Sequence, residues 1–139
     1  MHQILVWPLS DTLKIMFVSP RCDLGTITCC DELSMILQHQ DQTYQIASNV
    51  VGCSFSKFKE LLVQFLAREQ THIAWSDTFF LSMDRCDNIL LEIRQQDRAL
   101  CYQIISLSMV QSWIAQLDLL HVLMEENENE KKSRGKGCC

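Results

Sequence analysis

Apolar and polar residues alternate in several short stretches of this chain, and a period of two is typical of β-strands with one buried face. The clearest stretch covers residues 33–38, and after a polar break at 40–43 the alternation resumes at Tyr44. Residues 24–30 alternate more loosely. The pattern predicts a three-stranded antiparallel meander over residues 24–51, with short turns between its strands.

A second set of alternating segments follows further along the chain. Residues 79–83 and 89–93 each place three apolar side chains on one face, and a third apolar run covers 99–105. Asp84 to Asn88 separate the first two runs, and Asp and Asn side chains cap the backbone of their own turn. The acidic pair Asp84 and Asp87 is therefore interpreted as turn chemistry rather than as a general acid and base.

Apolar residues at helical spacing predict two helices. The first covers residues 56–70, with one apolar stripe formed by Phe58, Leu61, Leu62, Phe65 and Leu66. The last extends from Ser108 to about residue 126, and Ser108 with Gln111 forms a candidate capping box. The first 20 residues fit a short helix or a strand equally well. The prediction is an α+β fold, an antiparallel sheet of two short meanders with a middle helix and a C-terminal helix.

Composition and charge narrow the function classes. The chain has 139 residues, of which 47% are hydrophobic and 21% charged, which is typical of one globular domain. We expect that domain to cover residues 1–126 and a disordered charged tail to cover 127–139. The net charge of -5 argues against nucleic acid as a partner. Neither a membrane-spanning segment nor a signal peptide is predicted.

Candidate chemistry in the sequence is sparse. The eight cysteines include no Cys-x-x-Cys pair, and we interpret them as small buried residues of a reducing compartment. The four histidines show no metal-ligand spacing, and His121 lies in a helical apolar pattern. No phosphate-binding glycine loop or nucleophile motif is present. We therefore expect no enzyme activity, no cofactor and no metal.

The C-terminal end carries one sharp motif. Cys138 and Cys139 follow the basic stretch 131–137 and resemble the double-cysteine prenylation signal of Rab-type GTPases. Two lipids plus a basic segment would anchor a protein to a membrane. A peripheral adaptor, lipid-anchored through this double cysteine, is therefore an alternative function, and a small structural subunit is another. A passive tail is the simpler interpretation, and membrane association is not the favoured hypothesis.

The element order resembles a known family. Three stretches carry the likeness: "LGTITCCDELSMIL", "YQIASNVVGCSFSKFKELLVQFLA" and "FFLSMDRCDNILLEIRQ", followed by the last helix "SMVQSWIAQLDLLHVLMEE". They are similar to the strands, middle helix and last helix of the class I type III secretion chaperones, the CesT-like or Tir-chaperone group. The likeness covers residues 24–126. That family opens with an amphipathic helix, for which only "SDTLKIMF" is available here.

The resemblance implies a cytoplasmic homodimer that binds the N-terminal region of a secreted effector and holds it ready for export. An extended client can add to a sheet edge as a further strand. The implied effector-binding residues are Ile27, Leu33, Met35, Leu37 and Ile46. The implied dimer interface consists of Phe58, Leu61, Phe65, Phe79 and Leu91. Apolar residues at regular spacing are core by default, so each of these ten also has a purely structural interpretation.

Overall fold

The computed structural model describes residues 1–50 and 52–133, which form two antiparallel four-stranded sheets and two helices. The first sheet has the order β1–β2–β3–β4 and is followed by α1; the second has the order β5–β6–β7–β8 and is followed by α2. The bounds are β1 His2–Pro8, β2 Leu13–Ser19, β3 Leu33–His39, β4 Gln42–Val50, α1 Gly52–Leu66, β5 His72–Trp75, β6 Phe79–Met83, β7 Ile89–Gln95, β8 Arg98–Ile105 and α2 Leu107–Ser133. The predicted α+β class, with a middle and a C-terminal helix, is confirmed.

The chain consists of two consecutive units, each with four strands followed by a helix. In both units a two-residue turn joins the third and fourth strands, and its first residue has a positive φ, 55° at Gln40 and 56° at Gln96. Four buried positions in each helix follow the same spacing of three, four and three residues: Phe55, Phe58, Leu62 and Phe65 in α1, and Val110, Trp113, Leu117 and Leu120 in α2.

An aromatic cluster joins the two units in one core. Trp7 of β1 stacks on Trp113 of α2 with ring centroids 4.6 Å apart, and its Nε1 donates to Gln116 Oε1 at 2.9 Å. Phe58 of α1 stacks on Trp75 at 4.4 Å and meets Phe79 edge-on at 5.3 Å. Burial of rings this large is a major source of stability, so neither unit has a complete core without the other.

Side chains also tie the sheets together at two points. Thr78 Oγ1, in the turn between β5 and β6, donates to the backbone oxygen of Ile46 in β4 at 2.6 Å. Gln103 Nε2, in β8, donates to the backbone oxygen of Leu9 at 2.6 Å. These bonds give the backbone carbonyls of Ile46 and Leu9 a hydrogen-bond donor from the other unit.

The N-terminal third differs from the sequence prediction. Residues 1–20, which fitted helix or strand equally, form strands β1 and β2. The strand predicted over residues 24–30 is wrong, because this segment is a turn. Asp23 Oδ1 accepts from the Thr26 N–H at 3.1 Å, and Asp31 Oδ2 accepts from the Thr28 N–H at 2.8 Å. Asp side chains that bind nearby N–H groups in this way compete with a strand ladder.

The second helix differs from the prediction at both ends. Its cap is Ser106 rather than Ser108, since Ser106 Oγ accepts from the Met109 N–H at 3.1 Å. The helix continues to Ser133, so residues 127–133, expected in a disordered tail, are helical. Asn127 Nδ2 donates to the Ile27 carbonyl at 2.8 Å, which fixes this part against the turn at residues 24–30. Residues 134–139, with the double cysteine, lie outside the described residues.

Candidate functional site: the outer face and open edge of the second sheet

The residues implied as an effector groove are all in the core. Each has 3% or less of its surface exposed: Ile27, Leu33, Met35, Leu37 and Ile46. The inner face of β3 carries three of them, and that face is covered by the helices and the aromatic cluster. In the folded chain their side chains pack against each other and do not line an open groove.

The residues implied as a dimer interface have a similar placement. Four are fully buried: Phe58, Phe65, Phe79 and Leu91. The fifth, Leu61, is half-buried and packs against the same core. The structure therefore brings both predicted sets together in the interior of one chain.

Groups with reactive potential are few in the described part of the chain. Residues 1–50 and 52–133 hold no cluster of three His, Cys, Asp or Glu side chains that fits a metal ion. Burial raises the pKa of the Cys101 thiol to about 11, so it stays protonated and is a poor nucleophile. Cys30 is disulfide-bonded, which corrects the expectation of reduced cysteines at that position. No described helix has the length and apolar character to cross a bilayer.

The outermost strand of the second sheet, β8, has an open edge. In the described residues its backbone hydrogen-bonds only to β7. The run from Ala99 to Ile105 contains no charged residue and no proline, the devices that usually protect an edge strand. The other edges are less suited: β5 has four residues, β1 ends in Pro8, and the exposed side chains over residues 42–48 of β4 are polar.

A one-residue bulge decides which face of β8 is exposed. Ile93 pairs with Cys101 and Arg94 with Ala99, so Leu100 is an extra residue on β8. Beyond it, Tyr102 and Ile104 point outward, and 66% and 68% of their surfaces are exposed. An extra residue shifts the alternation and reverses the face of every later side chain.

The first unit carries the same tripeptide in the opposite orientation. Tyr-Gln-Ile occurs at residues 44–46 in β4 and at 102–104 in β8. In β4 Tyr44 pairs with Leu37 on the core face and Ile46 is buried, whereas in β8 both equivalents face solvent. The second unit therefore exposes apolar side chains whose equivalents in the first unit face the core.

A trough of about 570 Å³ runs over the outer face of the second sheet. Its apolar part consists of Leu90, Tyr102 and Ile104, which come from the paired strands β7 and β8. Its lining is completed by Ser82, Asp84, Asn88 and Gln103. An open apolar trough beside an unpaired strand is the arrangement that receives an extended peptide.

Asp84 brings a fixed negative charge to the rim of this trough. Its Oδ1 accepts from the N–H groups of Cys86 at 2.8 Å and Asn88 at 2.9 Å, and its Oδ2 accepts from Asn88 Nδ2 at 3.1 Å. The hydrogen bond from the Asn88 backbone lowers the pKa of Asp84, so its carboxylate is ionised at neutral pH. The predicted role of Asp84 in specifying this turn is confirmed.

A second apolar surface lies on the outer side of α2. Leu119 and Val122 are exposed there, and Ala115 falls on the same side one turn earlier. From Leu107 to Met124 the helix carries one acidic residue and no Lys or Arg, and this acidic residue, Asp118, pairs with Lys59 of α1 at 2.6 Å. A solvent-facing helix side is normally rich in charge, so this one is unusual.

Comparison of the chain with protein-family models, with curated proteins and with solved structures gives no match. The candidate site is therefore defined by its geometry. Sequence reasoning missed it because it assigned apolar residues to the core by alternation alone. The repeated turn at Gln40 and Gln96 and the repeated Tyr-Gln-Ile were visible signals of two units. Tyr44 lies four residues after Gln40 and Tyr102 six residues after Gln96, and this even difference does not reveal the reversed face, which comes from the bulge at Leu100.

Proposed function

We propose that this protein is a binding module that holds an extended segment of another protein along β8. The observation that carries the proposal is an open, uncharged edge strand whose outer face exposes Tyr102 and Ile104. Backbone groups of the edge give affinity to any strand-like segment, and the trough selects side chains. Such binding requires no catalytic group.

The resemblance to class I type III secretion chaperones supplies the specific form of this proposal. In that form the client is the N-terminal region of a secreted effector, which the protein holds in the cytoplasm until export. The order of strands, helix, strands and helix after residue 32 supports it. The opening hairpin of β1 and β2 stands where that family has a helix. The client segment therefore uses the second sheet rather than the N-terminal part of the chain.

The resemblance also implies a homodimer, and we assign its contact to the outer side of α2. Leu119 is 71% exposed, and its neighbour one turn on, Val122, is exposed as well. Two copies that pack these sides together would remove apolar surface from water on both chains. This contact leaves β8 free on each copy, so a dimer offers two client sites.

Two charge insertions on β8 test the proposal directly. Tyr102→Lys and Ile104→Lys each place an ammonium group on the trough floor without disturbing the core. Val63→Lys is the matched control, because Val63 is an exposed apolar residue on α1, away from β8. Each tagged chain is purified from the native organism, and proteins that accompany it are identified by mass spectrometry.

The expected result is one partner that accompanies the wild type and Val63→Lys, and is lost from both β8 variants. Hydrogen exchange on the isolated complex should then show slower exchange of the β8 amides, because a bound strand protects them. Equal recovery of the partner with all four chains would overturn the proposal. Unchanged exchange along β8 in the complex would do the same.

A further inference from the structure

Asp84 is the one charged side chain among the described residues that line the trough, and Arg85, its neighbour in the turn, does not line it. On the outer face of the second sheet, Arg94 pairs with Glu92 at 2.8 Å, so these two cancel. In the adjoining turn Asp87 pairs with Arg68 at 2.9 Å. Among the described residues, Asp84 has only neutral hydrogen-bond donors and no ion-pair partner. Its negative charge therefore faces whatever enters the trough.

The position of Asp84 along the strands is also defined. It lies in the turn that precedes β7, and the first residue of β7, Ile89, pairs with Ile105 at the end of β8. The negative charge therefore stands at the C-terminal end of β8, beyond Ile104. Every strand pair of this sheet is antiparallel, and antiparallel pairing is slightly more stable per residue than parallel pairing.

From these placements we propose that the occupant of the trough is an extended segment with a basic residue followed by apolar residues at alternate positions, bound antiparallel to β8. The basic side chain pairs with Asp84, and the apolar side chains cover Ile104 and then Tyr102. The net charge of -5 attracts such a segment before contact. This inference rests on the proposed function and adds the chemistry and direction of the client.

A second copy of this chain is the competing occupant. Its own β8 has a basic residue, Arg98, followed by Leu100, Tyr102 and Ile104 at alternate positions. Two β8 strands paired antiparallel would bring each Arg98 towards the Asp84 end of the other copy. Binding of a foreign segment can be distinguished from this pairing, because a chain that binds the segment does not associate with a second copy through β8.

Three synthetic peptides of about ten residues test the proposal. The first has a lysine followed by valine alternating with serine, the second has glutamate in place of the lysine, and the third carries the lysine at its other end. Their affinities are measured by fluorescence anisotropy. The full chain is used as the wild type, as Asp84→Asn, and as Asp87→Asn, which removes the same charge from the same turn outside the trough.

The lysine-first peptide should bind the wild type about fivefold more tightly than the other two, the scale of an exposed ion pair. Asp84→Asn should abolish that preference, and Asp87→Asn should keep it. Equal affinity for all three peptides would overturn the charge preference and leave strand binding intact. Binding of none would overturn the proposed function itself. Self-association that Ile104→Lys removes and the peptides cannot displace would assign the trough to a second copy.

Discussion

The indole rings of Trp7 and Trp113 lie nearly parallel, with centroids 4.6 Å apart and planes 7° apart. This stack joins the first strand to the last helix. We expect Trp113→Ala to lower the free energy of unfolding by about 3–5 kcal/mol, because the buried ring leaves a cavity. Trp113→Phe should lose less and stay folded. Urea unfolding measures both.

The control for that experiment is Tyr102→Ala. It also removes an aromatic ring, but one that is 66% exposed, so the change should stay within about 0.5 kcal/mol. A loss as large as that of Trp113→Ala would mean that Tyr102 belongs to the core, contrary to the assignment of β8 as a binding strand.

The start of α2 gives a prediction that separates two neighbouring serines. Ser106→Ala removes the oxygen that accepts from the Met109 N–H, and the loss of such a cap costs about 1 kcal/mol. Ser108→Ala should cost less, since the partner of Ser108 Oγ among the described residues is the Ser106 hydroxyl and not a backbone N–H. Thermal unfolding of both variants compares the two losses of stability. A larger loss for Ser108→Ala would show that Ser108 is the cap.

The carboxylate of Asp84 predicts a dependence of stability on pH. Its folded-state pKa is lowered below the ordinary 3.8, so its contribution is present above that value. The contribution is lost as the pH falls through the lower folded-state pKa. Wild type should therefore exceed Asp84→Asn in stability at about pH 6, and the difference should shrink at about pH 3.

Asp87→Asn provides the comparison for this pH series. Asp87 forms one exposed ion pair with Arg68, and exposed pairs contribute little to stability. Its difference from wild type at about pH 6 should be the smaller of the two. A difference for Asp84→Asn that does not change with pH would show that the turn does not depend on the charge.

The outer side of α2 predicts the oligomeric state. Sedimentation of the purified chain should give a dimer, and Leu119→Lys should shift it to a monomer with unchanged helix content, because a charge at the contact must be desolvated. Ile104→Lys should leave the dimer intact. A wild type that sediments as a monomer would remove the homodimer from the proposed function.

The fold could be predicted from the sequence where pattern and burial agree. Strands β3, β6 and β7 follow the alternation, and both helices follow their apolar stripes. The failures have local causes. At residues 24–30 Asp and Thr side chains bind the nearby backbone and exclude a strand. At residue 127 a single long-range hydrogen bond, from Asn127 to Ile27, accompanies a helix end that composition assigned to a tail.

The site could not be predicted in the same way, because the sequence pattern does not determine the register in which β8 pairs with β7. Leu33 and Ile104 are both apolar residues in alternating runs, yet one is fully buried and the other 68% exposed. The difference comes from the pairing of Ile93 with Cys101, which a sequence pattern does not specify. The turn chemistry of Asp84, in contrast, was predictable, since it depends on residues close in the chain.

The Leu100 bulge has a consequence for how such a protein can change over generations. Within β8, this single extra residue sets which side chains face outward, and Tyr102 and Ile104 are exposed because of it. A gain or loss of one codon in a strand can therefore convert an interior surface into a recognition surface in a single step. Among relatives of this chain, length differences in β8 would then mark divergence of partners more directly than substitutions do.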